Sequence, residues 1–369
     1  MSDASQALCV FLSHTPSELA GAPAQALNDI ARAQLAALPE AERAAKFGSL
    51  ASGFRLVQNP VEADFLLPYT WNTYLERRRV DLVAEATGLA RQHGKQVVVF
   101  SAGDYTAKVP FSGLTLLEAS GYRSRRLEGG NRVFAVPAFI PDFVELYCRG
   151  QVPVRSKGPR AVVGFCGLAG GGWHRLLWRA AKLRAQQCAY ALGLRAWEPP
   201  PFEPTLFRRR VLSSLARSPE VECNFIMRAR YRAKKKDPFH RTRLEYVNNL
   251  LASDYVVCMR GAGNFSVRFY EALSLGKIPV FIDSDCILPY DFAVHYRDYC
   301  VWVPYEERHG AARIVAQFHA RLSPAEFTAR QEQCRALWVN RLSRDGFYSH
   351  FREHLEQSQR VGAEREESV

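Results

Sequence analysis

LLASDYVVCMRGAGNFSVRFYEALSLGKIPVFIDSDCILPYD, residues 250–291, is the stretch that decides the fold. Val256 to Met259 ends an unbroken apolar run of the kind carried by strands buried on both faces. The turn residues Arg260, Gly261, Ala262, Gly263 and Asn264 follow, and Ser266 stands where a helix N-cap belongs. A helix through Arg268, Tyr270 and Glu271 then leads to a second apolar run, KIPVFID at 277–283. Strand, glycine turn, helix, strand is the βαβ unit of a parallel sheet. The free N–H groups and dipole at such a helix start favour an anion, and glycines let the backbone approach it closely. Arg260 adds a fork suited to a diphosphate. Arg268 and Glu271 are three apart and share a helix face, where the cation can meet phosphate and the carboxylate can accept ribose hydroxyls.

The same rhythm extends in both directions. Upstream, ALCVFL (7–12), ADFLLP (63–68) and KQVVVF (95–100) read as strands, and the stretch between the last two has helix-like apolar spacing before Gly94. GQVPVRSKGP (150–159) is rich in Pro, Gly and charge and reads as a connector. RAVVGFCGL (160–168) then runs into three glycines and a long helical pattern from His174 to about Leu192, restarting the β-loop-α order. Further strands are expected at 221–227, 254–259, 277–283 and 300–304, and helices at 241–251, 266–275 and 311–322. With 369 residues the chain exceeds what one hydrophobic core usually holds, so two domains are expected, at 1–150 and 160–345. Residues 346–369 are expected to be a helix followed by a disordered tail, because EQSQRVGAEREESV is polar and aperiodic.

The block R-G-x-G-N-F-S-x-R-F-Y-E, followed by G-K-I-P-V-F-I-D and then L-P, resembles the signature of the exostosin family of glycosyltransferases. NPVEADFLLPYTW (59–71) is similar to an early segment of that family, and FIMRARY (225–231) to an arginine-bearing strand end before the signature. The resemblance implies an α/β fold of the GT-B type, with two Rossmann-like domains facing a central cleft. It implies an inverting transfer from a nucleotide-diphosphate sugar held by the C-terminal domain, without an essential metal or other cofactor. It places Arg260, Gly261, Gly263, Asn264 and Ser266 around the donor diphosphate, with Arg268 and Glu271 on phosphate and ribose. Arg228 at a strand end joins the donor set, because a carboxyl edge faces the ligand crevice of an open α/β sheet. Asp283, with Asp285 two residues on, is a donor or acceptor contact, plain turn chemistry, or the D-x-D of a metal site.

An inverting transfer needs a general base. Asp104, just after the VVVF run, is the first candidate, although the family often has a His-Asp-like pair where this chain has Ala102-Gly103-Asp104. His14, after the first strand, is the second, since imidazole has a suitable pKa. The six tryptophans read most simply as core or helix-packing residues, with sugar stacking open only to those on cleft loops such as Trp71 and Trp173.

The formal charge of +12 favours anionic partners. The basic run Arg228, Arg230, Arg232, Lys234, Lys235 and Lys236, with Tyr231 among them, suits a phosphate-bearing lipid-linked acceptor or an anionic membrane face, with nucleic acid a weaker fit. Nine singly scattered cysteines form no metal or disulfide pattern, and no run reaches the length of a spanning helix or a secretory signal. A cytoplasmic enzyme, peripheral at most, of polysaccharide biosynthesis is therefore expected, acting on a glycan or lipid-linked acceptor. The alternatives are a non-catalytic nucleotide-sugar-binding subunit of the same fold and a basic nucleic-acid-binding protein.

Overall fold

The computed structural model describes residues 7–14, 28–77, 79–101, 103–104, 106, 109–230 and 239–366. The chain divides into two compact units, one of Met1–Pro137, Ile287–Phe292 and Asn340–Val369, the other of Ala138–Cys286 and Ala293–Val339. Each is a Rossmann-like α/β unit built on a parallel sheet.

In unit 1 the strands are β1 (Leu8–Leu12), β2 (Phe54–Val57), β3 (Phe65–Leu67), β4 (Gln96–Ser101), β5 (Leu114–Glu118) and β6 (Arg132–Ala135). They form a six-stranded sheet in the order β2-β1-β3-β4-β5-β6, parallel throughout. Every residue of β3 and β5 is buried, which is why these segments are apolar runs without alternation. The helices before β6 are α1 (Asp29–Gln34), α2 (Glu40–Phe47), α3 (Ser49–Ser52), α4 (Trp71–Arg77) and α5 (Asp81–Gln92). The single helical stretch expected between β3 and β4 is thus two helices, with the Arg79 side chain bonded to Asp81 at the junction.

Unit 2 begins with α6 (Phe143–Cys148) and continues through β7 (Val162–Leu168), α7 (Trp173–Ala191), α8 (Pro204–Arg217), β8 (Glu222–Arg228), α9 (Arg241–Leu251) and β9 (Tyr255–Cys258). Then come α10 (Val267–Ser274), β10 (Ile278–Ile282), β11 (Val301–Val303), α11 (Ala311–Arg321) and α12 (Pro324–Leu337). Its five-stranded sheet has the order β11-β10-β9-β7-β8. Pro279 lies inside β10, a central strand, yet removes no ladder bond. Its neighbour Ile278 donates toward β9, so position 279 faces β11, whose pairing starts only at Val280.

The expected connector at 150–159 lies inside unit 2 and is fastened there. The buried Lys277 donates from Nζ to the Pro153 carbonyl at 2.9 Å, and the Gln331 side chain exchanges two hydrogen bonds with the Arg155 backbone. The tail also differs from expectation. After α13 (Arg344–Ser349), α14 runs over Arg352–Glu366, and the Ser358 hydroxyl meets that of Thr115 on β5 at 2.7 Å. Phe351 and His354 enter an aromatic cluster with Phe134, Tyr290, Phe292 and Phe347, so a segment with little apolar periodicity is held by a few rings.

Among the described residues no helix is long and apolar enough to cross a membrane. The cysteines are free thiols; five are buried, whereas Cys188 and Cys223 are exposed.

Candidate functional site

In unit 2, β7 is followed in sequence by β8 on one side, and the chain then crosses to β9 on the other. The carboxyl ends of β7 and β9 therefore flank the point where the winding reverses, which is where open α/β sheets bind ligands. The glycine turn of 260–264 leaves β9 at this point and leads into α10.

Arg208 of α8 spans the two strand ends, donating from Nη1 to the Leu168 carbonyl at 2.9 Å and from Nε to the Arg260 carbonyl at 3.2 Å. Gly261 is in the turn beneath it; a Cβ there would stand 3.5 Å from Arg208 Nη2. Arg260 itself is buried, with its guanidinium 5.4 Å from the Phe202 ring centre. Arg268, in the first turn of α10, reaches across β7 to donate from Nη2 to the Cys166 carbonyl at 2.9 Å, stacked at 4.3 Å on Phe165. Its Nε is buried and has no hydrogen-bond partner among the described residues. Gly167 makes room for it, because a Cβ there would lie 2.6 Å from Arg268 Nη2. Arginines from α8, the turn after β9 and α10 thus converge on one switch point, each guanidinium oriented by a carbonyl or a ring.

Glu271 is one helical turn beyond Arg268 and buried. Its Oε1 accepts from Arg243 Nη2 at 3.1 Å, and its Oε2 accepts from the Tyr246 hydroxyl. Burial, and then the neighbouring carboxylate, push the Tyr246 hydroxyl well above its ordinary range, so it stays a donor. Burial is the largest influence on Arg243 and opposes its charge, but Glu271 together with Tyr147 and Tyr246 outweighs it and the net shift is upward. The carboxylate expected to face ribose is therefore already held by two protein donors, with a second lone pair left on each oxygen.

Asn264, buried, joins two loops: Nδ2 donates to the Asp285 carbonyl at 3.1 Å and Oδ1 accepts from the Ser284 hydroxyl at 2.8 Å. Asp283 accepts the Asp285 N–H at 3.0 Å, and Asp285 is left-handed with φ 64°. This is the Asx turn that aspartate favours after a strand. Among the described residues no group of three His, Cys, Asp or Glu side chains is placed to hold a metal. Ser266 occupies the N-cap position of α10, but its hydroxyl makes no capping bond. Gly263, just before Asn264, is buried in the turn.

Arg228 ends β8, where its carbonyl accepts the N–H groups of Ala169 and Gly170 while its guanidinium goes to the Thr242 carbonyl and to Glu245. Its side chain is thus tied to α9. Of the basic run, residues 231–238 lie outside the described residues.

In unit 1 the winding reverses between β1 and β3. His14 follows β1 there and is buried; its Nδ1 lies 3.3 Å from the Tyr74 hydroxyl and its Nε2 3.9 Å from Glu85 Oε2. The Tyr74 hydroxyl also accepts the Tyr69 N–H at 2.8 Å, tying the histidine to the loop after β3. Asp104 is exposed after β4, one strand further from the reversal. Trp71 is fully buried and Trp173 exposed.

Sequence reasoning missed Arg208, Arg243, Tyr246 and Tyr74. The signals were present in the FRRRV of α8 and the R-L-E-Y of α9, but only the fold shows which strand end each helix overlies.

No protein-family model matches the chain, and no curated protein does. Among solved structures, it is similar to a glycosyltransferase from Rickettsia africae at 10% identity, covering 96% of this chain and 99% of that one with a TM-score of 0.40. It is similar to Anabaena HepE in complex with UDP and glucose at 13% identity, with 95% and 100% covered and a TM-score of 0.37. Sucrose-phosphate synthase from Thermosynechococcus elongatus is 11% identical over 83% of this chain and 75% of its own, with a TM-score of 0.35. Likenesses this distant say nothing about substrate or chemistry.

Proposed function

We propose that the protein is a glycosyltransferase that takes a nucleotide-diphosphate sugar as donor at the β7/β9 switch point of unit 2. The observation that carries this reading is the convergence of Arg208, Arg260 and Arg268 there, above a glycine turn and the N-terminus of α10. Guanidinium groups fixed by carbonyls and rings present a diphosphate with charge at little entropic cost. Glu271 stands one turn along, where its remaining lone pairs suit ribose hydroxyls. The transfer is inverting and needs no metal, and the acceptor is a glycan or lipid-linked glycan.

For the general base we propose His14 in preference to Asp104, because it sits at the reversal point of the unit 1 sheet with its imidazole oriented by Tyr74 and Glu85. A thermal-shift screen against uridine, guanosine and cytidine diphosphate sugars tests the donor reading, and the matching nucleotide should raise the melting temperature. With that donor at saturation, His14→Asn should lower turnover by about 10²- to 10⁴-fold while Asp104→Asn and added EDTA leave it nearly unchanged. A flat screen rejects the donor site, and an active His14→Asn rejects the base.

A further inference from the structure

α7 presents its apolar side to solvent. Leu176 and Leu183 face the unit and are 2% and 9% exposed, whereas Trp173, Leu177 and Trp178 are 63%, 67% and 64% exposed. At about 3.6 residues per turn these three fall with Ala181 and Ala185 on one arc, opposite Leu176 and Leu183. Beyond the helix end, Leu192 and Leu194 are also exposed. Single exposed apolar residues need no explanation, but a contiguous stripe with two tryptophans does.

The charge around the stripe is of one sign. α7 carries Arg175, Arg179, Lys182 and Arg184 and no acidic residue. No Asp or Glu occurs anywhere between Glu145 and Glu198. Arg175 and Lys182 border the stripe on the Trp178 side, while His174 and, further along the helix, Arg184 fall within the arc itself. The Lys182 ammonium lies over the Trp178 ring, 5.3 Å from its centre, which sets a cation against the edge of the stripe.

We propose that α7 is a membrane-docking helix that lies in the interface of an anionic bilayer, with Trp173, Leu177 and Trp178 among the acyl chains and the lysine and arginines at the headgroups. An outward apolar arc with indoles at its edges and cations beside it is the arrangement an interfacial helix uses. A second copy of this chain is a poorer occupant, since a two-fold contact through α7 would set one cationic rim against another. Trp173 stands toward the β7 end, with Arg209 of α8 over its ring at 4.8 Å, but the residues varied below, Arg175, Leu177, Trp178 and Lys182, are not among the donor residues, so the proposal is tested independently of the donor site.

The test is sedimentation of the full chain with vesicles of phosphatidylcholine alone and of phosphatidylcholine with 30–40% phosphatidylglycerol, about the range in which anionic lipids attract basic segments. The protein should partition at least about tenfold more strongly onto the anionic vesicles, and weakly in high salt. Leu177→Glu with Trp178→Glu should abolish partitioning, and Arg175→Glu with Lys182→Glu should reduce it at least about tenfold, each with an unchanged melting temperature, because these side chains are exposed. The charge pair keeps the apolar stripe, so it separates loss of docking from loss of fold. Absence of partitioning, partitioning that both double variants retain, or self-association that the Leu177→Glu, Trp178→Glu variant abolishes would each overturn the proposal.

Discussion

Arg268 shows how a residue can be legible in kind and not in detail. The spacing R-F-Y-E places it on one helix face with Glu271, and the structure keeps them there. Its stacking on Phe165 and its bond to the Cys166 carbonyl were not legible, because both partners lie a hundred positions upstream. Glu271 carries the same lesson in reverse: the sequence offers a carboxylate for ribose, and the fold supplies Arg243 and Tyr246 as its first partners. Lys277, inside the signature-like block, is a structural residue whose ammonium is fully buried on Pro153. Burial, with the repulsion of Arg155 second, lowers its pKa to about 8. Between about pH 8 and 10.5 Lys277 is protonated in the unfolded chain and neutral in the folded one, so its contribution to stability rises with pH across that window. Lys277→Met should flatten the rise, which amounts to roughly 3 kcal/mol, in urea titrations at successive pH values. Wild-type and Lys277→Met curves of the same slope across this window would contradict it.

At the scale of elements, most strands were readable because parallel strands buried on both faces are continuous apolar runs. β2 was not, since FRLV carries an exposed arginine and follows a glycine, and β5 and β6 are short runs set close together among Gly and Pro turns. Helix ends depend on contacts that no local pattern reveals. Asp142 caps α6 by accepting the Val144 N–H at 2.9 Å, and the same carboxylate is gripped by both Nη atoms of Arg335 on α12 at 2.8 and 2.6 Å. Arg335 also donates to the Ser274 carbonyl at the end of α10. One carboxylate thereby ties three helices, and Asp142→Ala removes a cap and leaves a half-buried guanidinium short of a partner. A loss of about 2–4 kcal/mol is expected in denaturant unfolding, and a loss below about 0.5 kcal/mol would mean that the helices are held otherwise.

On the scale of the whole molecule, the chain's course was the least legible feature. Residues 287–292 and 340–369 belong to unit 1, although most of the second half of the chain forms unit 2. The reason is physical: a handful of rings, with His354 fully buried among them, holds the return, and a few aromatics in a polar sequence leave no periodic trace. Burial, with the repulsion of Arg341 second, lowers the pKa of His354 to about 3. Because the unfolded imidazole takes up a proton near pH 6.5 and the folded one does not, stability falls as the pH drops below 6.5. His354→Phe fits the ring cluster and should remove roughly 3 kcal/mol of the loss between pH 6.5 and 4. Identical acid-unfolding midpoints for the two proteins would refute this assignment.

The proposed activity stands on the anion site at the β7/β9 switch point, and calorimetric titration of the nucleoside diphosphate selected by the donor screen tests it most directly. Titrated into the wild-type chain and into Arg268→Ala, the ligand should bind the first with one site per chain and the second at least about tenfold more weakly, with the difference shrinking as salt is raised. Equal affinity for the two proteins would place the donor elsewhere and contradict the account.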